Sequence, residues 1–333
     1  MLPNHNLCCR PRAFRSAARL ALFLLVAILW SAAAPARAET LTLLLDWYLN
    51  PDHAPLVVAL EKGYFADAGL DVELVEPANP NDPPKLVAAG KADLAVSYQP
   101  QLHIQVAAGL PLARIGTLIA TPLNTLMVLD ESPIRSIADL KGRTVGFSVG
   151  GFEDAMLKAM LARHGLDLDD VELVNVNFSL GPSLLSGQVD AVIGAYRNFE
   201  LNQLEIVGHK ARAFFVEEEG VPAYDELIIV AHRERLDDWR VDAFLKAVER
   251  GVQYLINHPA ESWALFVGHR KELDDELNRR AWRDTLPRFA LRPRALDRSR
   301  YEAFAEFLLA VGVIESTPPT RDYAVEIAAG PAP

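Results

Sequence analysis

The chain has 333 residues, half of them hydrophobic, and its 44 acidic and 33 basic residues give a formal net charge of −11. A chain of this length can bury a sizeable core without disulfides, and its acidic balance excludes nucleic acid and anionic membrane surfaces as partners. The two cysteines, Cys8 and Cys9, both stand close to the N-terminus.

The first 38 residues have the pattern of a secretory signal peptide. Four arginines between positions 10 and 19 precede an apolar run from Leu20 to Trp30, and Ala36-Arg37-Ala38 supplies a small–any–small cleavage site. The run is too short to span a bilayer comfortably, although an uncleaved anchor is the alternative. We expect cleavage after Ala38, a periplasmic location, and no stable membrane insertion of the mature chain.

Cleavage would leave a mature chain without any thiol. The first 38 residues hold both cysteines, five arginines and no acidic residue, so 28 basic and 44 acidic residues would remain, a charge of −16. No disulfide, cysteine nucleophile or thiolate metal site is then possible, and no His or Glu spacing typical of a metal site stands out. We therefore predict no metal, no cofactor and no catalytic residue.

The first strand leads into a loop of unusual composition. An apolar run, Thr40 to Leu45, is followed by the segment DWYLNPDH and by a helix that begins near Pro55 and ends at Gly63. Ligands of open α/β sheets bind outside the carboxyl ends of the strands. Four side chains of this loop are therefore candidate ligand contacts: Trp47, Tyr48, Asn50 and His53.

The sequence contains an internal repeat. Gly69 to Val75 is echoed by Gly165 to Val174, and the segment AAGKADLAV at 88–96 is echoed by LSGQVDAVI at 185–193. Each copy reads strand, loop, helix, strand, helix, strand. The repeat predicts two similar α/β lobes, each with its own ligand-facing strand ends.

The second copy has small residues between its first strand and helix. The strand at 144–147 is followed by Ser148-Val149-Gly150-Gly151 and a helix at 152–164. Backbone N–H groups at such a helix start are free to meet an acceptor, so Ser148 and Gly150 are candidate ligand contacts. A tight structural connection is the alternative.

The last third of the chain reads as one returning strand, at 226–231, and a series of helices without a repeat partner. We expect these helices to pack on the first lobe. The predicted domains are residues 39–127 with 226–333 as lobe 1 and residues 128–225 as lobe 2. Two chain crossings between them, before Asp130 and after Tyr224, would make a hinge.

Several segments carry a resemblance to a known family: LDWYLNPDHAPLVVALEKGYF, GLDVELV, ADLAVSY, IADLKGRTVGF, DAVIGAYRNFE and GVPAYDELIIVA. They resemble the periplasmic solute-binding proteins of ABC importers, and are most similar to the branch that binds pyrimidine precursors of thiamine. The match runs from about Leu41 to Ala231. It implies an α/β type II periplasmic-binding-protein fold, with two α/β lobes joined by a two-crossing hinge and extra C-terminal helices on lobe 1.

The resemblance also implies a ligand and a partner: an aminopyrimidine, such as hydroxymethylpyrimidine or its formylamino form, and an ABC permease in the inner membrane. Tyr98 and Tyr196 follow equivalent strands of the repeat and would face the cleft from opposite sides. Asn198 and Glu200 follow in the motif RNFE. An ionised Glu200 could accept hydrogen bonds from an exocyclic amine and a protonated ring nitrogen.

Each of these assignments has a structural alternative. Trp47 and Tyr48 could be packing residues, Asn50 could form an Asx-turn, and His53 could simply start a helix. Glu200 could be a solvated charge at a helix start, or could be neutralised by Arg197.

Two alternatives to an aminopyrimidine binder remain open. The branch includes a eukaryotic enzyme that makes hydroxymethylpyrimidine, using a cysteine-rich iron-associated motif, a lysine-bound pyridoxal phosphate and a histidine at the position of His53. The mature chain lacks cysteine, and Lys62 is expected on a solvent-facing helix, so we predict a binding protein and not an enzyme. A different solute, such as a sulfonate, riboflavin or another heterocycle, is the second alternative, because Arg197 and Gly150-Gly151 could hold an anion.

Overall fold

The computed structural model describes Met1 and residues 38–327. Residues 2–37 of the predicted signal peptide, with Cys8 and Cys9, lie outside the described residues. Among the helices that are described, none is long and apolar enough to cross a membrane.

Within residues 38–327, ten strands form two sheets of five strands each. The strands are β1 (Glu39–Leu44), β2 (Leu70–Val75), β3 (Leu94–Ser97), β4 (Leu112–Ile119), β5 (Asn124–Leu129), β6 (Thr144–Phe147), β7 (Glu172–Asn175), β8 (Ala191–Tyr196), β9 (Ala211–Phe215) and β10 (Leu227–His232). The first sheet has the order β2-β1-β3-β10-β4 and the second has the order β7-β6-β8-β5-β9.

The two sheets have the same topology. Each sheet has three parallel strands, and an antiparallel strand lies beside them. This strand is β10 in the first sheet and β5 in the second, and each directly follows a crossing of the chain between the sheets. We call each sheet with its helices the first or second lobe. The two α/β lobes predicted from the repeat are therefore present.

The repeated aspartate has the same structural role in both copies. Asp93 accepts a hydrogen bond from the backbone N–H of Thr42 in β1, and Asp190 accepts one from Thr144 in β6, each at 3.0 Å. Each carboxylate stands directly before one strand, β3 or β8, and bonds the neighbouring parallel strand, β1 or β6. The repeat motif thus preserves strand pairing and not a ligand contact.

Eleven helices surround the sheets in the described residues. They are α1 (Ala54–Glu61), α2 (Tyr64–Asp67), α3 (Pro83–Ala88), α4 (Gln99–Ala107), α5 (Glu153–Arg163), α6 (Leu180–Leu185), α7 (Glu200–Ile206), α8 (Trp239–Asn257), α9 (Pro259–His269), α10 (Glu276–Thr285) and α11 (Arg298–Ala310). A short 3₁₀ turn, Pro51–His53, precedes α1.

Most of the C-terminal helices pack on the first lobe, as expected. Helices α8 and α9 lie against α1, and α11 lies against α4. A Cβ added at Gly251 of α8 would stand 2.4 Å from the carbonyl oxygen of Pro55, so only glycine permits this close approach.

Helix α10 differs from the expectation because it touches both lobes. It packs against the 3₁₀ turn of the first lobe and against α7 of the second. Asn202 donates to Asp284 at 2.8 Å, and Arg280 pairs with Glu205 at 3.3 Å. The polar side chains that α7 and α10 present to each other explain the contact.

The chain crosses between the lobes at residues 120–123 and 216–226. The buried carboxylate of Glu226 accepts from the backbone N–H groups of Leu123 and Asn124, so it ties the two crossings together. The expected lobe limit between residues 127 and 128 falls inside β5, which belongs to the second sheet from its first residue.

The matching hydrogen bonds of Asp93 and Asp190 lead to a stability prediction. Replacing either residue by alanine leaves a backbone N–H without its acceptor, so each change should lower the free energy of unfolding by about 1–3 kcal/mol. The two effects should add, because the sites lie in separate sheets. Urea denaturation measures both, with Asp71→Ala, an exposed aspartate of β2, as the control. Unchanged stability in both variants would contradict this role.

Candidate functional site

A cavity lies where the carboxyl ends of the strands of both sheets meet. Its empty volume is about 400 Å³, including the part that opens to solvent. The lining residues are Asp46, Trp47, Asn50, Asp52, Tyr98, Glu153, Leu180, Gly194, Tyr196, Phe199 and Glu200. The first five follow β1 and β3 of the first lobe, and the others belong to the second lobe. Each lobe therefore supplies one wall of the cavity.

Five of the ten candidate ligand contacts line this cavity: Trp47, Asn50, Tyr98, Tyr196 and Glu200. The two tyrosines face it from different lobes, as the repeat predicted. The other five candidates are not among the lining residues: Tyr48, His53, Ser148, Gly150 and Asn198.

Asp46 is the acceptor that the first lobe presents to the cavity. His53 is fully buried, and its Nδ1 accepts from the backbone N–H of Asn50 at 3.3 Å. The ring proton of neutral His53 is therefore on Nε2, which donates to Asp46 Oδ1 at 2.8 Å. The hydroxyl of Tyr98 donates to Asp46 Oδ2 at 3.0 Å. His53 thus holds Asp46 in place from behind and does not itself line the cavity.

Aromatic contacts join the two walls. The ring of Tyr98 stacks on Phe152 of the second lobe, with centroids 4.9 Å apart, and the ring of Trp47 meets Phe178 at 4.6 Å. Tyr48 also packs on Phe178, but it is 49% exposed. Of the two neighbouring aromatic residues, Trp47 is the one at the cavity and Tyr48 is a surface packing residue.

The carboxyl groups of the lining are unusually costly to ionise. Burial raises the pKa of Glu153 to about 8, that of Glu200 to about 7 and that of Asp52 to about 6. Hydrogen bonds from backbone N–H groups to Glu153 and Glu200 oppose this effect only in part. None of the described residues that line the cavity is basic. The cavity therefore concentrates buried carboxyl groups without a compensating cation, and a ligand with N–H donors would favour their ionised, acceptor form.

Glu200 is neither a solvated charge nor a partner of Arg197. Its carboxylate is buried and accepts from the backbone N–H of Tyr196 at 2.6 Å. The guanidinium of Arg197 instead pairs with Glu217 at 2.6 Å and lies over the ring of Phe215. Glu200 remains available to a ligand.

The glycine-rich turn of the second lobe already donates a hydrogen bond to a side chain of the first lobe. Gly150 N donates to Asn81 Oδ1 of the first lobe at 2.8 Å, and Asn81 Nδ2 donates back to Ser148 O at 3.1 Å. Ser148 N donates to Glu153 Oε2 at 2.7 Å. Ser148 and Gly150 therefore connect the lobes and position Glu153.

Asn50 forms the Asx-turn that was the structural alternative, and it also lies at the cavity. Its Oδ1 accepts from the backbone N–H of Asp52 at 2.8 Å, which is the Asx-turn, and the residue also lines the cavity. Asn198 is buried and bonds Asp52 and Thr285, so it contacts protein groups of the first lobe and of α10.

Six lining residues were missed from sequence: Asp46, Asp52, Glu153, Leu180, Gly194 and Phe199. Asp46 lies two residues beyond β1, so its position near a strand end could have been read from the sequence. Glu153 starts α5, where an acid is expected for the helix dipole alone. Gly194 has a φ of 98°, and a Cβ there would stand 2.3 Å from the Glu153 carboxyl group. Only coordinates show that this glycine makes room for a buried acid.

The acidic lining does not form a metal site. Within the described residues, no group of three or more His, Cys, Asp or Glu side chains could hold a metal ion.

Comparison with known proteins places the chain in a family. The family model described as NMT1/THI5 like matches residues 50–262. A Haemophilus influenzae protein named for thiamine biosynthesis is 56% identical over 290 residues, covering 87% of this chain and 92% of its own. The formylaminopyrimidine-binding protein of Halalkalibacterium halodurans is 38% identical over 236 residues, covering 70% and 72%.

Two Candida albicans proteins are similar to the chain at lower sequence identity. The 4-amino-5-hydroxymethyl-2-methylpyrimidine phosphate synthase of Candida albicans is 30% identical over 250 residues, covering 72% of this chain and 74% of its own. A second Candida albicans protein, solved as an example of the generic periplasmic binding protein fold, superposes with a TM-score of 0.70 at 17% identity, covering 89% and 99%. The chain therefore belongs to the NMT1/THI5-like family and has the fold of the periplasmic binding proteins.

Proposed function

We propose that this protein is a periplasmic binding protein that captures an aminopyrimidine precursor of thiamine between its lobes and delivers it to an ABC permease. The observation that carries the proposal is the acidic cavity, in which Asp46, Asp52, Glu153 and Glu200 are buried without a basic lining residue. Ligands with N–H donors are the natural occupants of such a site.

The geometry suits a small aromatic amine in particular. Tyr98, Tyr196 and Trp47 offer ring faces and edges to a flat heterocycle. Glu200 can accept from an exocyclic amine and a protonated ring nitrogen, and Asp46 is fixed as an acceptor on the opposite wall. Relatives named for pyrimidine binding and thiamine biosynthesis support the same class of ligand.

A sulfonate or another anion fits this cavity poorly. Buried carboxylates repel an anion, and the two groups that kept this alternative open have protein partners, Arg197 with Glu217 and Gly150 N with Asn81.

The synthase alternative also lacks support from the residues. His53 is fully buried and bonded to Asp46 and Asn50, so it is not placed as a reagent toward the cavity. Lys62 lies at the C-terminal end of α1, with its amine over the ring of Tyr254, outside the cavity lining.

Location and partner follow from the same proposal. Export through the N-terminal segment and cleavage after Ala38 would place the protein in the periplasm. There, the two lobes would move about the crossings at residues 120–123 and 216–226, and closure on the ligand would create the form that the permease accepts.

The ligand itself can be identified directly. Protein purified from its native periplasm without denaturation should release an aminopyrimidine on acid or heat treatment, detected by mass spectrometry. Titration calorimetry with hydroxymethylpyrimidine, its formylamino form, riboflavin and taurine then ranks the candidates. Release of riboflavin or a sulfonate, with no aminopyrimidine binding, would contradict the proposal.

Glu200 should contribute strongly to affinity. In Glu200→Gln, an amide replaces a carboxylate that accepts charge-assisted hydrogen bonds, so the Kd for the aminopyrimidine should rise about tenfold to a hundredfold. Glu306→Gln is the control, because Glu306 is an exposed glutamate of α11, away from the cavity lining. An unchanged Kd in Glu200→Gln, with the fold intact by circular dichroism, would remove Glu200 from the site.

The raised pKa values predict how stability depends on pH. Burial raises the pKa of Glu153 to about 8 and those of Glu200 and Glu226 to about 7, all above the unfolded value of 4.5. The stability that each protonated group contributes is present below its unfolded pKa and is lost as pH rises through the folded value. The Tm of the ligand-free protein should therefore fall between pH 6.5 and pH 8.5.

The pH range of this prediction begins at 6.5 because of His103. Burial lowers the pKa of His103 to about 3, from 6.5, so its opposing effect on stability is confined to lower pH. Scanning calorimetry at the two pH values is the measurement, and Glu153→Gln should show a smaller fall in Tm. An identical fall in the variant would show that Glu153 does not titrate in this range.

A further inference from the structure

Asp52 occupies an unusual position at the cavity. It lies in the 3₁₀ turn after β1, is 1% exposed and belongs to the lining. Its Oδ1 accepts from Asn198 Nδ2 at 2.6 Å and from Thr285 Oγ1 at 2.9 Å. Its Oδ2 is buried and has no hydrogen-bond partner within residues 38–327. One oxygen of this carboxyl group is saturated, and the other is free.

The two donors on Oδ1 come from outside the segment that carries Asp52. Asn198 follows β8 of the second lobe, and Thr285 is the last residue of α10. Asn198 Nδ2 also donates to Thr285 Oγ1, at 2.7 Å. The carboxyl group of Asp52 is thus the point at which the first lobe, the second lobe and a C-terminal helix are bonded together, directly beside the cavity.

A buried acceptor without a donor is costly, and the cost is larger when the group is ionised. A donor hydrogen on a bound molecule would satisfy Oδ2. Oδ1 and Oδ2 share one charge and one planar group, so a ligand that holds Asp52 ionised and in place also strengthens its hydrogen bond to Asn198.

We propose that Asp52 is a specificity-determining residue, which accepts a hydrogen bond from the ligand through Oδ2 while its Oδ1 holds the second lobe through Asn198. This inference rests on the proposed function and deepens it. It assigns the ligand a donor hydrogen for Asp52 in addition to those taken by Glu200, as an aminopyrimidine with a hydroxymethyl or formylamino substituent offers. A ligand without that donor leaves Asp52 unsatisfied and the lobes less firmly joined.

The proposal predicts different effects on the association rate and the dissociation rate of the ligand. The hydrogen bond from Asn198 to Asp52 joins the two lobes beside the cavity, so on this proposal it holds the lobes around the bound ligand and its loss should act on dissociation. In Asn198→Ala, koff for 4-amino-5-hydroxymethyl-2-methylpyrimidine should rise about tenfold, with kon within about twofold of the wild-type value. Loss of a residue that only stabilised the fold would not raise koff selectively while leaving kon unchanged.

Stopped-flow measurement of intrinsic tryptophan fluorescence gives kon and koff, and titration calorimetry gives Kd. Asp52→Ala should raise Kd at least about tenfold, and the double variant with Asn198→Ala should be no weaker than Asp52→Ala alone, because both changes remove the same junction. Asn202→Ala is the matched control. It lies on α7 and bonds Asp284 of α10, but at an exposed site, so koff should stay within about twofold.

The outcomes are distinct. Binding by the wild-type protein with an unchanged koff in Asn198→Ala, or additive effects in the double variant, would overturn this inference and leave the proposed function standing. Failure of the wild-type protein to bind any aminopyrimidine would overturn the proposed function and the role of Asp52 together. If Asp52→Ala does not fold, by circular dichroism, the Asn198→Ala rates decide alone.

Discussion

Burial of carboxyl groups between two lobes is the physical constraint on which this site depends. A buried carboxylate is tolerated only when donors satisfy it. Asp46 receives its donors from His53 and Tyr98 of its own lobe, whereas Glu200 receives a backbone N–H from Tyr196. Asp52 alone among the three takes a donor from the opposite lobe. The lining is therefore preorganised for a molecule that supplies further donors, and unfavourable for one that brings negative charge.

The fold brings these acids together through its internal repeat. Each sheet ends its parallel strands at the same edge, so the loops after β1 and β3 face the loops after β6, β7 and β8. The contacts of Tyr98 with Phe152 and of Trp47 with Phe178 join the two walls of the acidic cavity through apolar rings.

Much of this architecture could be predicted from the sequence, because periodicity and repetition are properties of single elements. The strand at 144–147 was placed at its observed limits, and the equivalence of Tyr98 and Tyr196 follows from the repeat. The burial of the acidic lining residues was harder to predict from the sequence. Glu153 and Asp52 stand where an exposed acid would be unremarkable, at a helix start and in a turn, and only tertiary packing buries them.

Interactions between distant segments account for the remaining differences. Asn198 reads as a cleft residue in sequence, yet its partners, Asp52 and Thr285, lie 146 and 87 positions away. The contact of α10 with α7 depends on side-chain pairs of the same kind. A sequence pattern records the face of a helix, but it does not record which distant helix that face will meet.

The central claim is that buried acceptors in this cavity select a donor-bearing pyrimidine. Titration calorimetry at pH 7.5 with 4-amino-5-hydroxymethyl-2-methylpyrimidine and with its 4-oxo analogue tests it most directly, since the oxo compound replaces the exocyclic amine donor by a carbonyl acceptor and carries a proton on a ring nitrogen. The account predicts that the amino compound binds at least about tenfold more tightly, because the oxo compound brings an acceptor against a carboxylate. Equal affinity, or tighter binding of the oxo compound, would contradict it.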